Sequence, residues 1–387
     1  MVMEHNAVFG IHLGMTHSAI ARIGENGIPV IIENFADGYS WIESAIYFPE
    51  DGDPVVGMEA KRQAEIEPNR VVRYFMRDLG KPDSQIYEFN GVKYDPIMLT
   101  ALLIKQIKNY AEEQGHEVID VVLTCPVYYG TTERIALKQA VELSGLNLLG
   151  AIDEPVATAL SYFNRKRGNG KRILVYDLGG SSFDLALLDC ICGDGEKDTF
   201  KIIGIAGDDR LGGVDWDNRL YEHLLELYAD EHGFTIGDMD CINLELRQIL
   251  RHRAEESKKK LSHMQSCSIS VAYSGDCTRL TITRNIFNDL TTDLVEHTVQ
   301  HIRRLLCDTD TALHNIDCIL LAGGATKMPM ISNALSLIFG RDKIRIEQPE
   351  FAVVMGATIR ASNIMRGLMN NFMSPLNICK SCGQIIK

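Results

Sequence analysis

Two glycine turns have the residue types in this sequence that are best suited to binding a ligand. One lies in GIHLGMTHSAIA (Gly10–Ala21) and the other in VYDLGGSSFDLA (Val175–Ala186), and they superpose with His12 on Asp177, 165 residues apart. Each copy is typical of a strand, a tight turn with hydroxyl side chains, and a second strand. Such a turn directs successive N–H groups into a concavity that suits an anion, and glycine lets a phosphate come close. The matched pair predicts a phosphate clamp, although either turn alone is also typical of an ordinary hairpin.

A third glycine segment follows an apolar strand in ILLAGGATK (Ile319–Lys327). In α/β proteins a ligand often binds where the carboxyl end of a strand meets the N-terminus of a helix. A plain strand-to-helix turn is the alternative interpretation.

The segments that must position these turns alternate between strand and helix patterns. This alternation predicts α/β layers in which helices cover the sheets. No linker rich in proline, glycine or serine separates independent domains, and 164–171 is the best candidate for a hinge or loop. The predicted strands are Ala7–Leu13, Ser18–Ile23, Val118–Thr124, Ile173–Leu178, Phe183–Asp189, Cys267–Tyr273, Thr278–Thr283 and Cys318–Leu321. The predicted helices are Thr131–Gly145, Asn243–Leu261, Asn285–Cys307 and one from about Met328.

Composition excludes several classes of protein. The 387 residues include 39 Lys and Arg against 52 Asp and Glu, a net charge of −13, which argues against sequence-independent nucleic-acid binding. With 45% hydrophobic and 24% charged residues the chain is globular, and at about 100–200 residues per domain it should form two to three domains. No apolar run reaches the roughly 18–20 residues that span a bilayer, and the N-terminus lacks a signal-peptide pattern. We expect no membrane contact and a cytoplasmic location.

Ten cysteines are too dilute for a disulfide scaffold. Most lie in apolar segments, where cysteine behaves as a small hydrophobic residue. The exception is the pair Cys379 and Cys382 in a C-x-x-C pattern. This pair supplies two metal ligands where a structural zinc site needs four, so a zinc or redox site and a tail without function both remain open.

Taken together, five segments resemble one family: the nucleotide-binding (ATPase) domain of the seventy-kilodalton heat-shock chaperones (DnaK-like), in the actin-like ATPase superfamily. The resemblance covers about residues 6–365, and DLGGSSFD, for example, is similar to the family's DLGGGTFD. The matching segments are Val121–Tyr129, Gly145–Ala157, Asp177–Asp184, Ala206–Arg219 and Leu321–Pro329.

The resemblance implies an actin-like ATPase fold of α/β class, with two lobes that each have a ribonuclease-H-like core and flank a nucleotide cleft. Lobe I is expected over 1–168, with a subdomain insert at about 41–97, and is completed by 346–370. Lobe II is expected over 169–345, with an insert at about 207–291. Residues 371–387 would form a tail, a remnant of the family's linker and substrate-binding domain.

The resemblance also implies a site for ATP or ADP with Mg²⁺, and K⁺ is a further candidate ion. Glu154, Asp177 and Asp184 would be catalytic, and the two aspartates would also hold the metal. The spacing of Glu255, Lys258 and Ser262 puts them on one helical face, although this spacing taken alone is better explained by a surface Glu–Lys ion pair. The nucleotide-binding residues would be His12, Gly14, Met15, Thr16, Gly179, Gly180, Ser182, Glu255, Lys258, Ser262, Gly323, Gly324 and Glu350.

Three positions depart from the family's hydrolytic machinery. His12 stands where the family has a metal-holding aspartate, Met15 replaces a threonine, and Met76 replaces a phosphate-contacting lysine. Phosphoryl transfer depends on positioning and charge, and the loss of one such group typically costs about 10²–10³ in rate. We therefore expect weakened Mg²⁺ binding and slow hydrolysis, and we expect restoration of both charges by His12→Asp with Met76→Lys to speed it. His12 either contacts phosphate when protonated or marks a degraded site.

The chain is expected to lack its own peptide-binding groove, because its residues after 365 carry no acidic linker. Gly150 replaces an arginine of the family's co-chaperone contact, which puts the family's allosteric cycle in doubt. A weak chaperone ATPase in protein folding, with co-chaperones or an exchange partner, is the first hypothesis. A nucleotide-gated binding module that hardly hydrolyses ATP is the second. A sugar kinase or an actin-like filament protein ranks below both, and we expect a monomer.

Overall fold

Apolar strands with a buried side chain at nearly every position form the centre of each part of this chain. The structure is a computed structural model that describes residues 8–33, 38–164, 170–191, 199–233 and 244–367. Within these residues the chain divides into two compact units. The first unit comprises Met1–Met58, Val72–Arg167 and Phe351–Lys387, and the second comprises Glu59–Val71 and Gly168–Glu350.

The strands and helices are numbered in chain order. The strands are β1 (Val8–Leu13), β2 (His17–Ile23), β3 (Pro29–Ile31), β4 (Ile42–Glu43), β5 (Ala45–Tyr47), β6 (Val55–Val56), β7 (Val71–Arg73), β8 (Tyr87–Phe89), β9 (Val92–Tyr94), β10 (Asp120–Cys125), β11 (Asn147–Asp153), β12 (Arg172–Leu178), β13 (Phe183–Ile191), β14 (Thr199–Asp208), β15 (Ser266–Tyr273), β16 (Asp276–Thr283), β17 (Cys318–Ala322) and β18 (Ile344–Ile346). The helices are α1 (Met58–Ile66), α2 (Pro96–Glu113), α3 (Thr131–Leu143), α4 (Glu154–Phe163), α5 (Gly213–His232), α6 (Leu244–Leu261), α7 (Arg284–Leu290), α8 (Thr292–Asp308), α9 (Pro329–Phe339) and α10 (Ala352–Met365).

The two units contain main sheets of the same topology. In the first unit the strand order is β11-β10-β1-β2-β3, with β4 also paired to β2, and in the second it is β18-β17-β12-β13-β14. In each sheet three consecutive strands are antiparallel, a fourth strand pairs in parallel with the first of them, and a fifth pairs in parallel with the fourth. The 165-residue sequence echo is therefore a repeat of strand order, as expected for two ribonuclease-H-like cores.

The register of the repeat places unlike residues at matching positions. In the second unit Asp177 lies directly opposite Asp184 across the β12–β13 pair. In the first unit the same places on β1 and β2 are taken by His12 and Ala19. The second turn therefore begins beside two carboxylates, and the first begins beside one imidazole.

Each unit has its own apolar core. In the first unit, α2 and α3 cover the sheet through residues such as Leu103 and Val141, and α10 packs on α4, β1 and β10. In the second unit, Trp216 of α5 is fully buried in a core that α6, α8 and α9 also line. Smaller pairings complete the sheets: β6-β5-β7 and β8-β9 beside the first core, and the β15-β16 hairpin in the second unit.

The prediction of one long helix over Asn285–Cys307 is wrong. The segment forms α7 and α8, which are separated at Thr291, where φ is −126°. The hydroxyls of Thr291 and Thr292 donate to the carbonyls of Phe287 and Asn288, four residues earlier, at 2.8 and 2.9 Å. Such bonds from threonine compete with the helical pattern and bend helices. The other predicted elements are present with ends shifted by one or two residues.

Some predicted features lie outside the described residues. These are residues 165–169 of the proposed hinge and the whole 368–387 segment, which includes Cys379 and Cys382. Among the helices in the described ranges, none is long and apolar enough to cross a membrane.

The crossing of α10 and α4 gives a test of packing in the first unit. A Cβ atom on Gly356 would lie 1.9 Å from the carbonyl oxygen of Ala157, whereas one on Gly150 would lie 3.7 Å from its nearest neighbour, Ile364 Cδ1. We expect Gly356→Ala to lower the free energy of unfolding by about 1–3 kcal/mol, because overpacking forces the helices apart. Gly150→Ala is the matched control and should change it little. Thermal denaturation of both variants would decide, and equal midpoints would contradict the observed crossing.

Candidate functional site

The second glycine turn, Gly179–Ser182, is held in shape by the first residues of α5. The Gly179 N–H donates to the carbonyl of Ser182 at 3.0 Å, which closes the turn. From α5, the N–H groups of Gly213 and Val214 donate to the carbonyls of Gly179 and Gly180 at 2.9 and 2.8 Å. The LGG segment before α5 therefore acts as a brace for the turn.

This close approach depends on glycine at position 212. A Cβ atom there would lie 2.4 Å from the backbone of Ser181. Any side chain would push α5 away from the turn, because contacts below about 3 Å between such atoms are strongly repulsive. The sequence pattern LGG is thus explained by backbone packing against the turn.

Two buried carboxylates precede and follow the turn. Asp177 and Asp184 are 9% and 6% exposed, and they lie on neighbouring strands in direct register. Burial raises the pKa of Asp177 to about 7. Burial and the charge of Asp177 together raise the pKa of Asp184 to about 8, against a hydrogen bond from Ser182 that lowers it. In the described part of the chain, no lysine, arginine or histidine forms an ion pair with either carboxylate.

This donor set fits a hard divalent cation. Carboxylate oxygens are the ligands that Mg²⁺ takes from proteins, usually one or two of them beside water and phosphate oxygens. Two like charges side by side in a buried position are unfavourable until a proton or a cation compensates them. The predicted pair Asp177 and Asp184 is therefore suited to hold Mg²⁺.

The predicted face of α6 is present, but its side chains are engaged within the second unit. Lys258 Nζ donates to the Asp217 carboxylate at 2.7 Å and to the Gly213 carbonyl at 2.8 Å. This bond ties α6 to the start of α5. Burial raises the pKa of Asp217 despite the neighbouring Lys258 ammonium. The other oxygen of Asp217, Oδ1, is buried and has no hydrogen-bond partner among the described residues.

Glu255 and Ser262 are also engaged. The Glu255 carboxylate accepts hydrogen bonds from Lys61 and Lys259 at 2.9 and 2.7 Å. Burial opposes its ionisation, but these two ammonium groups hold the pKa of Glu255 well below its usual range. The Ser262 hydroxyl donates to the Lys258 carbonyl of its own helix. The sequence analysis did not include Lys61 or Asp217 among the site residues. Asp217 could have been found, because it stands two residues after Asp215 in the motif at the start of α5. Lys61 had no such signal.

The third glycine segment packs on the end of β12. Gly323 has φ of +80°, and a Cβ atom there would lie 2.2 Å from the Leu178 carbonyl oxygen. A Cβ atom on Gly324 would meet nothing within 4 Å, so this position borders open space. Glu350 accepts a hydrogen bond from Lys327 at 2.6 Å, and its buried Oε2 atom has no partner in the described ranges.

The first glycine turn, in the first unit, is built around His12. Its Nδ1 atom lies 2.9 Å from Thr124 Oγ1 and 3.5 Å from the Glu154 carboxylate. Burial, with a contribution from His17, lowers the pKa of His12 to about 4. With this pKa, His12 is neutral at pH 7 in the protein without nucleotide, and its contact with phosphate stays a prediction.

The residues after His12 are held by their own unit. The Gly14 carbonyl accepts a hydrogen bond from the Ser44 hydroxyl at 2.7 Å, and Met15 packs against the first apolar core. Thr16 shares a hydrogen bond with His17 Nδ1 at 2.9 Å. The sequence analysis did not include Ser44, because it lies far from Gly14 in the chain and no motif links the two residues.

Comparisons with known proteins agree with the motifs. A model of the Hsp70 protein family matches residues 8–374. The chain is 35% identical over 370 residues to the chaperone protein DnaK of Thermotoga petrophila, across 94% of this chain and 60% of that protein. It is 35% and 34% identical over 369 residues to DnaK of Thermosipho melanesiensis and of Thermosipho africanus, with the same coverage. The chain belongs to the Hsp70 family. It spans about three fifths of the length of the curated relatives it matches.

Family membership confirms the predicted fold class, the α/β fold of the actin-like ATPases. One departure from the Hsp70 pattern now has a structural basis. The Met76 side chain is 2% exposed and belongs to the apolar core of the first unit. A lysine at this position would place its ammonium group against apolar side chains, which is costly. The neighbouring Arg77 stacks its guanidinium group over the Tyr74 ring, 5.2 Å from the centroid.

The two raised pKa values predict how stability depends on pH. Folded-state pKa values of about 7 and 8, against an ordinary value of 3.8, mean that the folded protein binds more protons between about pH 4 and pH 8. Stability is therefore full below pH 4 for these groups and falls as pH rises to 8, by up to about 1.4 kcal/mol per pH unit for each. Asp184→Asn should flatten this fall, because it removes one acid and one like charge.

Urea denaturation at pH 5, 6, 7 and 8 in metal-free buffer would test this expectation. Trp216, fully buried in the second core, reports the unfolding of the second unit in a Trp41→Phe background. Asp276→Asn, which alters an exposed carboxylate outside the site, is the control and should keep the original slope. Parallel pH profiles of all three proteins would contradict the assignment.

Proposed function

We propose that this chain is an ATP- and ADP-binding domain of the heat-shock chaperone type, with weak Mg²⁺-dependent ATP hydrolysis. The observation that carries the proposal is the second glycine turn with its surroundings. Backbone from the turn, from the start of α5 and from Gly323 converges beside two buried carboxylates. A phosphate with its metal ion is the ligand that such an arrangement suits best.

Each part of the arrangement has a proposed role. Gly180 and Ser182 would offer donors to the phosphates, and Gly179, whose N–H closes the turn, would let a phosphate come close. Gly324 would leave room for the purine and ribose. Glu255, Lys258 and Ser262 would contact the adenosine, with Glu350 beside the open space at Gly324. The network through Lys61 and Asp217 would hold Lys258 and Glu255 in fixed positions. In this role a preformed network lowers the entropy cost of binding.

We propose that Asp177 and Asp184 hold Mg²⁺. When bound, the ion would neutralise charge on the phosphates and replace the protons that the two carboxylates otherwise share. The residues themselves contribute a fixed cross-strand spacing and exclusion of bulk water. K⁺ stays a prediction, since no arrangement in the described residues favours it.

Weak hydrolysis is proposed because the first turn offers little charge. His12 is neutral, and Ala19 stands where the second copy has a carboxylate. Met76 supplies no cation, because a methionine side chain is uncharged, and it packs in the apolar core of the first unit. Glu154 beside His12 would orient the attacking water. The second candidate function is a binding module that holds nucleotide and hardly hydrolyses it, and the same three residues favour it.

A role in protein folding, with co-chaperones or a nucleotide-exchange partner, is proposed from the relatives, whose printed name is chaperone protein DnaK. Gly150 lies on β11, where it has no side chain to offer such a partner. A sugar kinase or a filament protein is less well supported, because the Hsp70 model matches nearly the whole chain.

Gly324→Leu is the sharpest test of nucleotide binding. A Cβ atom at position 324 meets no atom within 4 Å, so the larger side chain should extend into open space and leave the fold intact. We expect MgADP and MgATP to bind the wild type with micromolar to submicromolar affinity in calorimetry, and the variant to bind at least tenfold more weakly, about 1.4 kcal/mol.

The thermal midpoint of the nucleotide-free variant is the control and should match the wild type. Absence of binding heat for the wild type at millimolar nucleotide would overturn the proposed function. Unchanged affinity in the variant would place the nucleotide elsewhere.

His12→Asp tests the reason for weak hydrolysis. A carboxylate at this position would offer anionic oxygen atoms to water and Mg²⁺ in place of a neutral ring nitrogen. Single-turnover phosphate release should therefore rise about tenfold, equal to about 1.4 kcal/mol of barrier. The control is His12→Asn, because asparagine has nearly the same shape as aspartate but no charge. Its rate of phosphate release should not exceed that of the wild type. Met76→Lys is unsuitable as a partner change, because it would put a cation into the first core.

Equal rates for the Asp and Asn variants would contradict the charge argument. A wild-type rate already typical of efficient ATPases would contradict weak hydrolysis while leaving nucleotide binding intact.

A further inference from the structure

A cluster of two imidazoles and one carboxylate lies on the second unit, outside the residues assigned above. Its members are Asp208 at the end of β14, and His297 and His301 on α8. One ligand-type atom from each lies within 4.8 Å of the other two. His297 Nε2 and Asp208 Oδ2 are 4.0 Å apart, and the two imidazole ring centroids are 4.9 Å apart. Three groups with lone pairs thus converge on one point of the surface.

The helix dictates part of this arrangement. His297 and His301 are four residues apart on α8, so their side chains lie one above the other on the same helical face. α8 packs on β13 and β14, which brings that face beside the end of β14. A pair of histidines at this spacing is a preformed two-ligand chelate.

Two contacts restrict the side chains of His301 and Asp208. The His301 ring packs edge-on against Phe183, with centroids 5.9 Å apart. Asp208 Oδ1 accepts a hydrogen bond from the Arg210 N–H at 2.8 Å, which leaves Oδ2 directed toward His297. His297 is 47% exposed, so an ion can reach the cluster from solvent.

We propose that Asp208, His297 and His301 form a binding site for a divalent transition-metal ion of the zinc and nickel class. Imidazole nitrogen with one carboxylate oxygen is a donor set that such ions take, with water completing the coordination. Ligand bonds of about 2.0–2.2 Å separate the donor atoms by roughly 3.4 Å in a zinc tetrahedron. They separate neighbouring donor atoms by roughly 3.0 Å at the 90° angles of nickel. His297 Nε2 and Asp208 Oδ2, at 4.0 Å, and all three ligand atoms, within 4.8 Å of one another, would close to these values by small rotations of the side chains.

This site differs from the proposed magnesium site in chemistry. Mg²⁺ prefers oxygen ligands, as supplied by Asp177 and Asp184, whereas imidazole selects later transition metals. The two sites are nevertheless connected by the sheet, because Asp208 pairs in register with Phe183, the residue before Asp184.

Ni²⁺ titration of the full chain by calorimetry would test the site, in nucleotide-free buffer with excess Mg²⁺ to occupy Asp177 and Asp184. We expect one Ni²⁺ per chain at micromolar affinity. His297→Gln and His301→Gln should each weaken that binding at least tenfold, since each removes one of two imidazole ligands. His263→Gln changes an exposed histidine on another element and is the matched control, which should keep the wild-type affinity.

The cysteines, including Cys379 and Cys382, are identical in all four proteins, so any thiol binding is constant across the comparison. Circular dichroism of the variants would confirm that the fold is retained. The proposal would be overturned if the wild type bound no Ni²⁺ at about 100 μM. It would also be overturned if the wild type and both histidine variants bound Ni²⁺ with equal affinity.

Discussion

The candidate site in the second unit depends on the close approach of backbone segments to the Gly179–Ser182 turn and to the end of β12. The Gly179–Ser182 turn receives two hydrogen bonds from the start of α5, and Gly323 touches the end of β12 on another side. Both contacts are possible only without side chains at positions 212 and 323. The position of α5 then fixes Asp217, whose carboxylate fixes Lys258 and with it α6. A shift of the turn would therefore reach Lys258, a candidate adenosine contact, through Gly213 and Asp217.

The same packing explains why the carboxylates are unusual. β12 and β13 are central strands with nearly every side chain buried, so Asp177 and Asp184 leave water when the sheet forms. The cost of this burial appears in their raised pKa values. Residues that destabilise the free protein in this way are common at binding sites, because a ligand of opposite charge relieves the unfavourable state. Stability and affinity for a cation are then two consequences of one arrangement.

The two sheets show how one topology can carry different chemistry. Both have the same strand order and the same place for a turn after the first strand. In the second unit the turn lies between two carboxylates, Asp177 and Asp184, and packs closely on Gly212. In the first unit it holds a neutral histidine next to Thr124 and Glu154, with alanine across the strand pair. The fold alone therefore does not determine catalytic strength, which depends on a few side chains at equivalent positions.

The fold class, the repeated turns and most element positions could be predicted from the sequence, because apolar periodicity and glycine patterns are local signals. Family motifs also indicated which residues to consider at the site. Tertiary packing places Met76 in a core and lowers the pKa of His12 through burial. It also brought His297 and His301 to Asp208, about 90 residues away in the chain. Burial, pKa and long-range side-chain contacts depend on neighbours that are distant in sequence, and no local pattern encodes them.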